Sequence, residues 1–183
     1  MPESLLLPDF LEPTEVARVL AGVASASGTA AGVYDRGDGA RVDARVRSAQ
    51  LLQPPIGTCE MLTSRLSAVR EQLASHFAVT LGGFEEPKFL RYVAGDYFVP
   101  HQDGNTPVIH DDSRHRRISV VLFLNDAYRG GELVLHGAYP NYTDRSVVPA
   151  APGVLVAFRS QTTHEVTPVV EGVRYTVVSW YRA

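Results

Sequence analysis

Residues 154–181, VLVAFRSQTTHEVTPVVEGVRYTVVSWY, decide how this chain must fold. Apolar, β-branched and aromatic residues make three runs here, 154–158, 164–168 and 174–181, with turn signals between them. Suppose 164–170 and 173–181 closed as a tight hairpin about Glu171-Gly172. Val169 would then stand opposite Arg174, and His164 and Arg174 would face opposite sides. If the two runs lie instead in different sheets that face each other, both residues look into one interior. A jelly roll makes that crossing. A single site served by His164 and Arg174 therefore requires the second arrangement.

Working outward, the same texture extends back to Pro87. Five more short runs, 89–93, 97–100, 118–124, 132–136 and 145–148, follow one another with Gly or Asp at most junctions. Eight short strands without intervening helices predict a sandwich or jelly roll. Before Pro87 the period changes. Pro13-Thr14-Glu15 opens a helical pattern with Val16, Val19, Leu20 and Val23 on one face and Gly28 beyond its end. A stronger helix is expected over 58–77, with the stripe Met61, Leu62, Leu66, Val69, Leu73 and Phe77. Residues 28–39, rich in Gly, Ala and Asp, read as a loop, and 41–52 as an irregular strand ended by Pro54-Pro55. The expectation is one domain over 1–183. A helical support region (1–86) packs outside one sheet of a mainly β core (87–183).

Composition narrows the function classes. The chain has 183 residues and a formal net charge of −3, so nothing draws it as a whole to nucleic acid or an anionic membrane. Cys59 is the only cysteine, which rules out an internal disulfide and fits a reducing compartment. Residues 1–10 carry Glu3 and Asp9 without a basic region, and Leu5-Leu6-Leu7 is too short for a signal peptide or a span. The expected location is cytoplasmic, with no membrane partner. The basic residues are all Arg except Lys88.

His101-Gln102-Asp103 carries the chemistry. In an extended backbone, residues i and i+2 share a face, so His101 and Asp103 reach one metal while Gln102 points away. Pro100 favours that geometry just before them. With His164 from a distant strand, the set is two imidazoles and one carboxylate, a facial triad that suits non-heme Fe(II) and leaves positions open. An isolated HxD is common by chance. His76 and His136 lack any partner pattern and read as structural. His110 and His115 fall in the polar stretch 104–117 with Asp111 and Asp112, and read as part of a solvated loop. Arg174 shares its strand face with Thr176, Val178 and Trp180, and no acid stands on that face to pair with it. A buried carboxylate ligand would satisfy it bidentately. The plainer alternative is a salt bridge to Glu165 or Glu171.

Taken in order, these residues resemble the prolyl 4-hydroxylase-like branch of the Fe(II)/2-oxoglutarate-dependent dioxygenases. The matching stretches are Arg91-Tyr92, Gly95, Tyr97-Phe98, His101 and Asp103, then Phe123-Leu124-Asn125 and Gly130-Gly131-Glu132-Leu133. His164-Glu165-Val166, Pro168, Gly172, Arg174-Tyr175 and Trp180-Tyr181 complete the set. The resemblance covers roughly residues 87–183 and implies a double-stranded β-helix, a cupin-like jelly roll. It implies Fe(II) held by His101, Asp103 and His164. It also implies 2-oxoglutarate as cosubstrate with its far carboxylate on Arg174, and a cosubstrate contact from Tyr92. In some relatives a tyrosine also bonds that carboxylate. Phe123 stands there and has no hydroxyl, and Thr176 is the candidate to compensate. The activity implied is oxidative decarboxylation of 2-oxoglutarate by O₂ coupled to hydroxylation of a substrate C–H bond.

The substrate implied is a prolyl or related residue of a protein or peptide, or a small molecule. Trp180, on the Arg174 face, is assigned to substrate contact. The loops 28–39, 104–117 and 137–144, the last with Tyr139, Pro140 and Tyr142, are candidate entrances. Two other readings stay open: a cupin-like metalloenzyme that does not use 2-oxoglutarate, and a non-catalytic jelly-roll binding module.

Overall fold

Val120-Val121-Leu122-Phe123 is apolar at every position because its strand is covered on both faces. The computed structural model that establishes this describes residues 2–35, 39–107, 111–137 and 143–183. His110, Tyr139, Pro140 and Tyr142 lie outside the described residues. In chain order the first half holds β1 (Ser4–Leu7), α1 (Pro13–Ala24), β2 (Gly28–Ala30), β3 (Val33–Asp35), β4 (Gly39–Arg41), β5 (Arg47–Ser48), β6 (Gln50–Leu52) and α2 (Ile56–Phe77). Then follow β7 (Lys88–Tyr92), β8 (Tyr97–His101), β9 (Arg116–Phe123), β10 (Tyr128–Gly130) and β11 (Leu133–His136). The last five are β12 (Arg145–Val147), β13 (Leu155–Arg159), β14 (His164–Val166), β15 (Val169–Gly172) and β16 (Arg174–Arg182).

Two antiparallel sheets make the jelly roll. The larger has seven strands in the order β1-β13-β9-β16-β7-β6-β2, and the smaller has five in the order β12-β11-β14-β8-β5. Alternation sorts the side chains. From β9, Ile118, Val120 and Leu122 point outward to Val16, Val19 and Val23 of α1 and to Leu62, Leu66, Leu73 and Phe77 of α2. Val121 and Phe123 point inward to Val156 and Phe158 of β13 and to Leu133 and Leu135 of the smaller sheet. The helices thus seal the outer face of the larger sheet, and the space between the sheets is left for function. Among the described residues, no helix is long and apolar enough to cross a membrane.

The eight strands expected after Pro87 are all present, shifted by one or two residues at their ends. Strands β14 and β16 lie in different sheets, as a shared site for His164 and Arg174 demands. The first 86 residues differ from expectation. They contribute strands as well as helices, and 28–39 is not simply a loop. Gly28–Ala30 pairs with β6, and Val33–Asp35 pairs with Gly39–Arg41. Gly28–Ala30 carries only small, exposed residues, so its pairing is driven by backbone partners rather than by an apolar face. Strands β10 and β15, which pair with each other, were hidden for a related reason. They are three and four residues long and hold glycines at φ +72° and +80°.

Tyr181 ties the two layers together. It is fully buried on the outer face of β16, and its hydroxyl donates to the Leu66 carbonyl of α2 at 2.7 Å. Tyr181→Phe is expected to cost about 1 kcal/mol. In urea unfolding the midpoint should fall with an unchanged slope. An unchanged midpoint would remove this bond from the account.

Candidate metal centre and anion pocket

Strand pairing creates the centre. His101 closes β8, His164 opens β14, and the two are register partners across the smaller sheet. Their rings lie 4.2 Å apart, centroid to centroid. Gln102 turns out to solvent, where its amide donates to the Gln161 carbonyl, and Asp103 turns back in. His101 Nε2 lies 3.6 Å from Asp103 Oδ1 and His164 Nε2 lies 3.4 Å from Oδ2. One ligand atom from each of the three residues falls within 4.8 Å of the others, a spacing that one metal ion fits.

Each imidazole is aimed from behind. The Nδ1–H of His101 donates to the Val99 carbonyl and that of His164 to the Thr162 carbonyl, both at 2.9 Å. That tautomer leaves both Nε2 atoms as acceptors directed at the carboxylate. Phe98 stacks on His101 at 3.5 Å and Phe158 packs edge-on to His164 at 4.8 Å. Arg47 lies over the far face of this group, 4.7 Å from the Phe98 ring.

Asp103 is held just as closely. Its N–H donates to the Ser160 carbonyl at 2.9 Å, and its own carbonyl accepts from Arg116 Nη1 at 3.2 Å. Arg116 is in turn forked onto Glu85 at 2.6 and 2.7 Å. Oδ2 accepts from the Ser119 hydroxyl at 2.7 Å. The next residue must be glycine, because a Cβ on Gly104 would fall 2.2 Å from the Ser113 carbonyl oxygen.

These surroundings prepare the groups for a cation. Burial alone would raise the pKa of Asp103, but His164, His101 and the Ser119 hydrogen bond override it and hold the carboxyl well below its usual range. Burial, with the neighbouring His101, pushes His164 down to about 4 against the pull of Asp103. At neutral pH the site offers an ionised carboxylate and a neutral His164, the forms that bind metal.

Across the interior, Arg174 opens β16 and is 1% exposed. Its Nη1 donates to Thr176 Oγ1 at 3.2 Å, and among the described residues its Nε has no hydrogen-bond partner. Neither acid weighed as its salt-bridge partner takes that place: Glu165 binds Arg145 at 2.6 Å and His136 at 3.1 Å, and Glu171 binds Arg129. A buried guanidinium without a counter-ion is costly, so the pocket calls for an anion. Tyr92, its register partner, and Phe123 wall it, with ring centroids 5.1 and 5.6 Å from Cζ. Trp180 sits at the other end of the strand, opposite Ser119, with Arg116 3.9 Å and Lys88 5.1 Å from its ring centroid.

The structure thus gathers His101, Asp103 and His164 in one cluster and sets Arg174 with Thr176, Tyr92 and Phe123 in another. His136 bonds Glu165 and His76 packs on Phe77, both as structural residues. Sequence reasoning missed Ser119, Ser160, Arg116 and Gly104. Ser119 left a signal, since it is the one polar inward position in the run Ser119, Val121, Phe123. Ser160 left none: its carbonyl accepts from the Asp103 N–H, and its hydroxyl accepts from Ser119 Oγ at 3.1 Å only once the strands are brought together.

The chain is similar to known proteins in sequence and in fold. It is 35% identical over 102 residues to a PKHD-type hydroxylase of Shewanella oneidensis, a match covering 55% of this chain and 44% of that protein. It is 37% identical over 100 residues to one of Burkholderia ambifaria, covering 53% and 42%. The matched segment therefore spans less than half of either relative. In structure it is similar to a Pseudomonas putida prolyl-4-hydroxylase, with a TM-score of 0.74 and 21% identity over 98% of this chain and 91% of that one. A prolyl hydroxylase from Trichoplax adhaerens, solved with a hypoxia inducible factor peptide fragment, scores 0.74 at 21% identity, covering 98% and 83%. These two likenesses show the fold. The profile of the 2OG-Fe(II) oxygenase superfamily matches residues 87–182, just over half of the chain and all of its site-bearing strands from β7 onward. The chain belongs to the 2OG-Fe(II) oxygenase superfamily.

Proposed function

We propose that this chain is an Fe(II)- and 2-oxoglutarate-dependent dioxygenase that hydroxylates a C–H bond of a prolyl or related residue in a peptide or protein, or of a small molecule. The observation that carries the reading is the buried Arg174, without an acidic partner among the described residues, in the same interior as the triad. A metalloenzyme that dispensed with a diacid, or a plain binding module, would gain nothing from that guanidinium. Residues 1–86 support the site and 87–183 carry it, within one domain. The single cysteine supports a reducing, cytoplasmic setting.

In this reading His101, Asp103 and His164 hold Fe(II), a donor set that suits it. Bound iron with 2-oxoglutarate and O₂ supplies the chemistry: the diacid is decarboxylated to succinate and CO₂, and the substrate carbon gains a hydroxyl. The chain's own part is to position and enclose. The Val99 and Thr162 carbonyls fix the imidazole tautomers, and Ser119 fixes the carboxylate. Arg174, with Thr176 beside it, grips the far carboxylate of 2-oxoglutarate, and Tyr92 packs along it. Phe98, Phe123 and Phe158 keep water out, which strengthens each charged contact. Trp180, at the metal end of β16, meets the substrate. The Trichoplax neighbour was solved with a peptide, which supports a peptide among the substrate classes.

Anaerobic addition of Fe(II) and then 2-oxoglutarate should produce a visible metal-to-ligand charge-transfer band, and air should then yield succinate. Folded protein that gives neither refutes the proposal. Arg174→Ala should weaken 2-oxoglutarate binding roughly a hundredfold by removing a charge-assisted fork, with Fe(II) affinity retained. Equal 2-oxoglutarate affinity in that variant would dismiss Arg174 as the anchor. His164→Ala should abolish Fe(II) binding while circular dichroism remains native. Ser119→Ala should loosen Fe(II) by roughly tenfold or more in a chelator competition, and an unchanged constant would deny Ser119 its role.

A further inference from the structure

We infer that Tyr128 is a binding residue for the cosubstrate: its hydroxyl is a second donor to the carboxylate that Arg174 grips, doing the work of the hydroxyl absent at Phe123. This rests on the function proposed above. Among the described residues only four buried side-chain polar atoms lack a hydrogen-bond partner, and two of them are the Tyr128 hydroxyl and Arg174 Nε. Native proteins rarely leave such atoms unpaired, so each calls for an explanation.

The two side chains meet over one glycine. A Cβ built on Gly131 would lie 3.0 Å from Arg174 Cδ and 3.5 Å from Tyr128 Cε2. Gly131 also has φ +62°, so neither its backbone nor its neighbours admit a side chain. On the adjoining strand Tyr128 stands opposite Gly172, two residues before Arg174, where a Cβ would come within 3.0 Å of the Tyr128 Cα. Two bare glycines thus let the tyrosine lie flat against the backbone that carries the arginine. The residue as a whole is half-buried while its hydroxyl oxygen is fully buried. Phe123, 5.6 Å from the guanidinium, contributes only a ring.

The chemistry selects the ligand. A guanidinium N–H only donates; a phenol oxygen can accept from it, yet here the Tyr128 hydroxyl and Arg174 Nε are both unpaired, so the two do not bond each other. A carboxylate is acceptor-only, with two oxygens and about four lone-pair sites, so it can take both. One orphan donor is explained by any anion. Two orphan donors of different charge, on side chains that meet beside one glycine, fit the forked end of a diacid.

Tyr128→Phe separates this from a packing role. The protein is loaded with Mn(II), which prevents turnover, and 2-oxoglutarate is titrated calorimetrically against wild type and variant. Wild type should bind, and the variant should bind roughly tenfold more weakly or worse, the loss of one hydrogen bond to a charged group. Mn(II) affinity should not change, and neither should the weak binding of pyruvate, which has the keto acid but no far carboxylate. Without ligand, the variant should melt at the same temperature or higher, since it loses a hydroxyl that had no partner. Equal 2-oxoglutarate affinity overturns the inference while leaving the proposed function in place. So does a lower melting temperature without ligand, which would reveal a protein partner for the hydroxyl. Failure of wild type to bind 2-oxoglutarate overturns the proposed function itself.

Discussion

The antiparallel register of β8 with β14, which sets His101 beside His164, is the constraint on which the rest of the structure depends. Two imidazoles at that spacing, with Asp103 closing in from the chain that has just left β8, bring three ligand atoms within 4.8 Å of one another. Everything around the pair serves to keep it aimed: carbonyls behind each ring, aromatic faces at the sides, and Ser119 reaching over from the larger sheet. A slip of one residue in either strand would turn one imidazole to the opposite face and dissolve the centre.

This preparation costs stability. Asp103, His164 and Arg174 are charged or titratable groups placed where an apolar core would be more favourable. Among the described residues Arg174 has no acidic partner, and its Nε and the Tyr128 hydroxyl have no hydrogen-bond partner. The sealed outer face, where α1 and α2 bury Ile118, Val120, Leu122 and Tyr181, provides the compensating burial. Ligands that neutralise the interior should return part of that cost as added stability. The division of labour follows from the alternation of β9 and β16: one face of each strand holds the protein together, and the other faces the chemistry.

Much of this was legible in the sequence where side chains dominate. The strands after Pro87 declared themselves through alternation, both helices through their stripes, and the triad and Arg174 through residue type and spacing. The hairpin test even required β14 and β16 to occupy separate sheets, which they do. What was not legible lies in backbone pairing and distant contact. Gly28–Ala30 has no apolar face to announce it, and β10 and β15 are too short to show a period. Ser160 acts through a carbonyl that every residue has. Tyr128 looks like an ordinary turn residue until Gly131 and Gly172 place it against Arg174.

The central claim is that three side chains share one metal while a guanidinium across the same interior takes the far end of a diacid. A crystal structure grown anaerobically with Mn(II) and 2-oxoglutarate tests it most directly. One ion is expected within coordination distance of His101 Nε2, His164 Nε2 and an Asp103 oxygen, with the distal carboxylate of 2-oxoglutarate on Arg174. An ion bound elsewhere, or a distal carboxylate turned to solvent with Arg174 still unpaired, would contradict it.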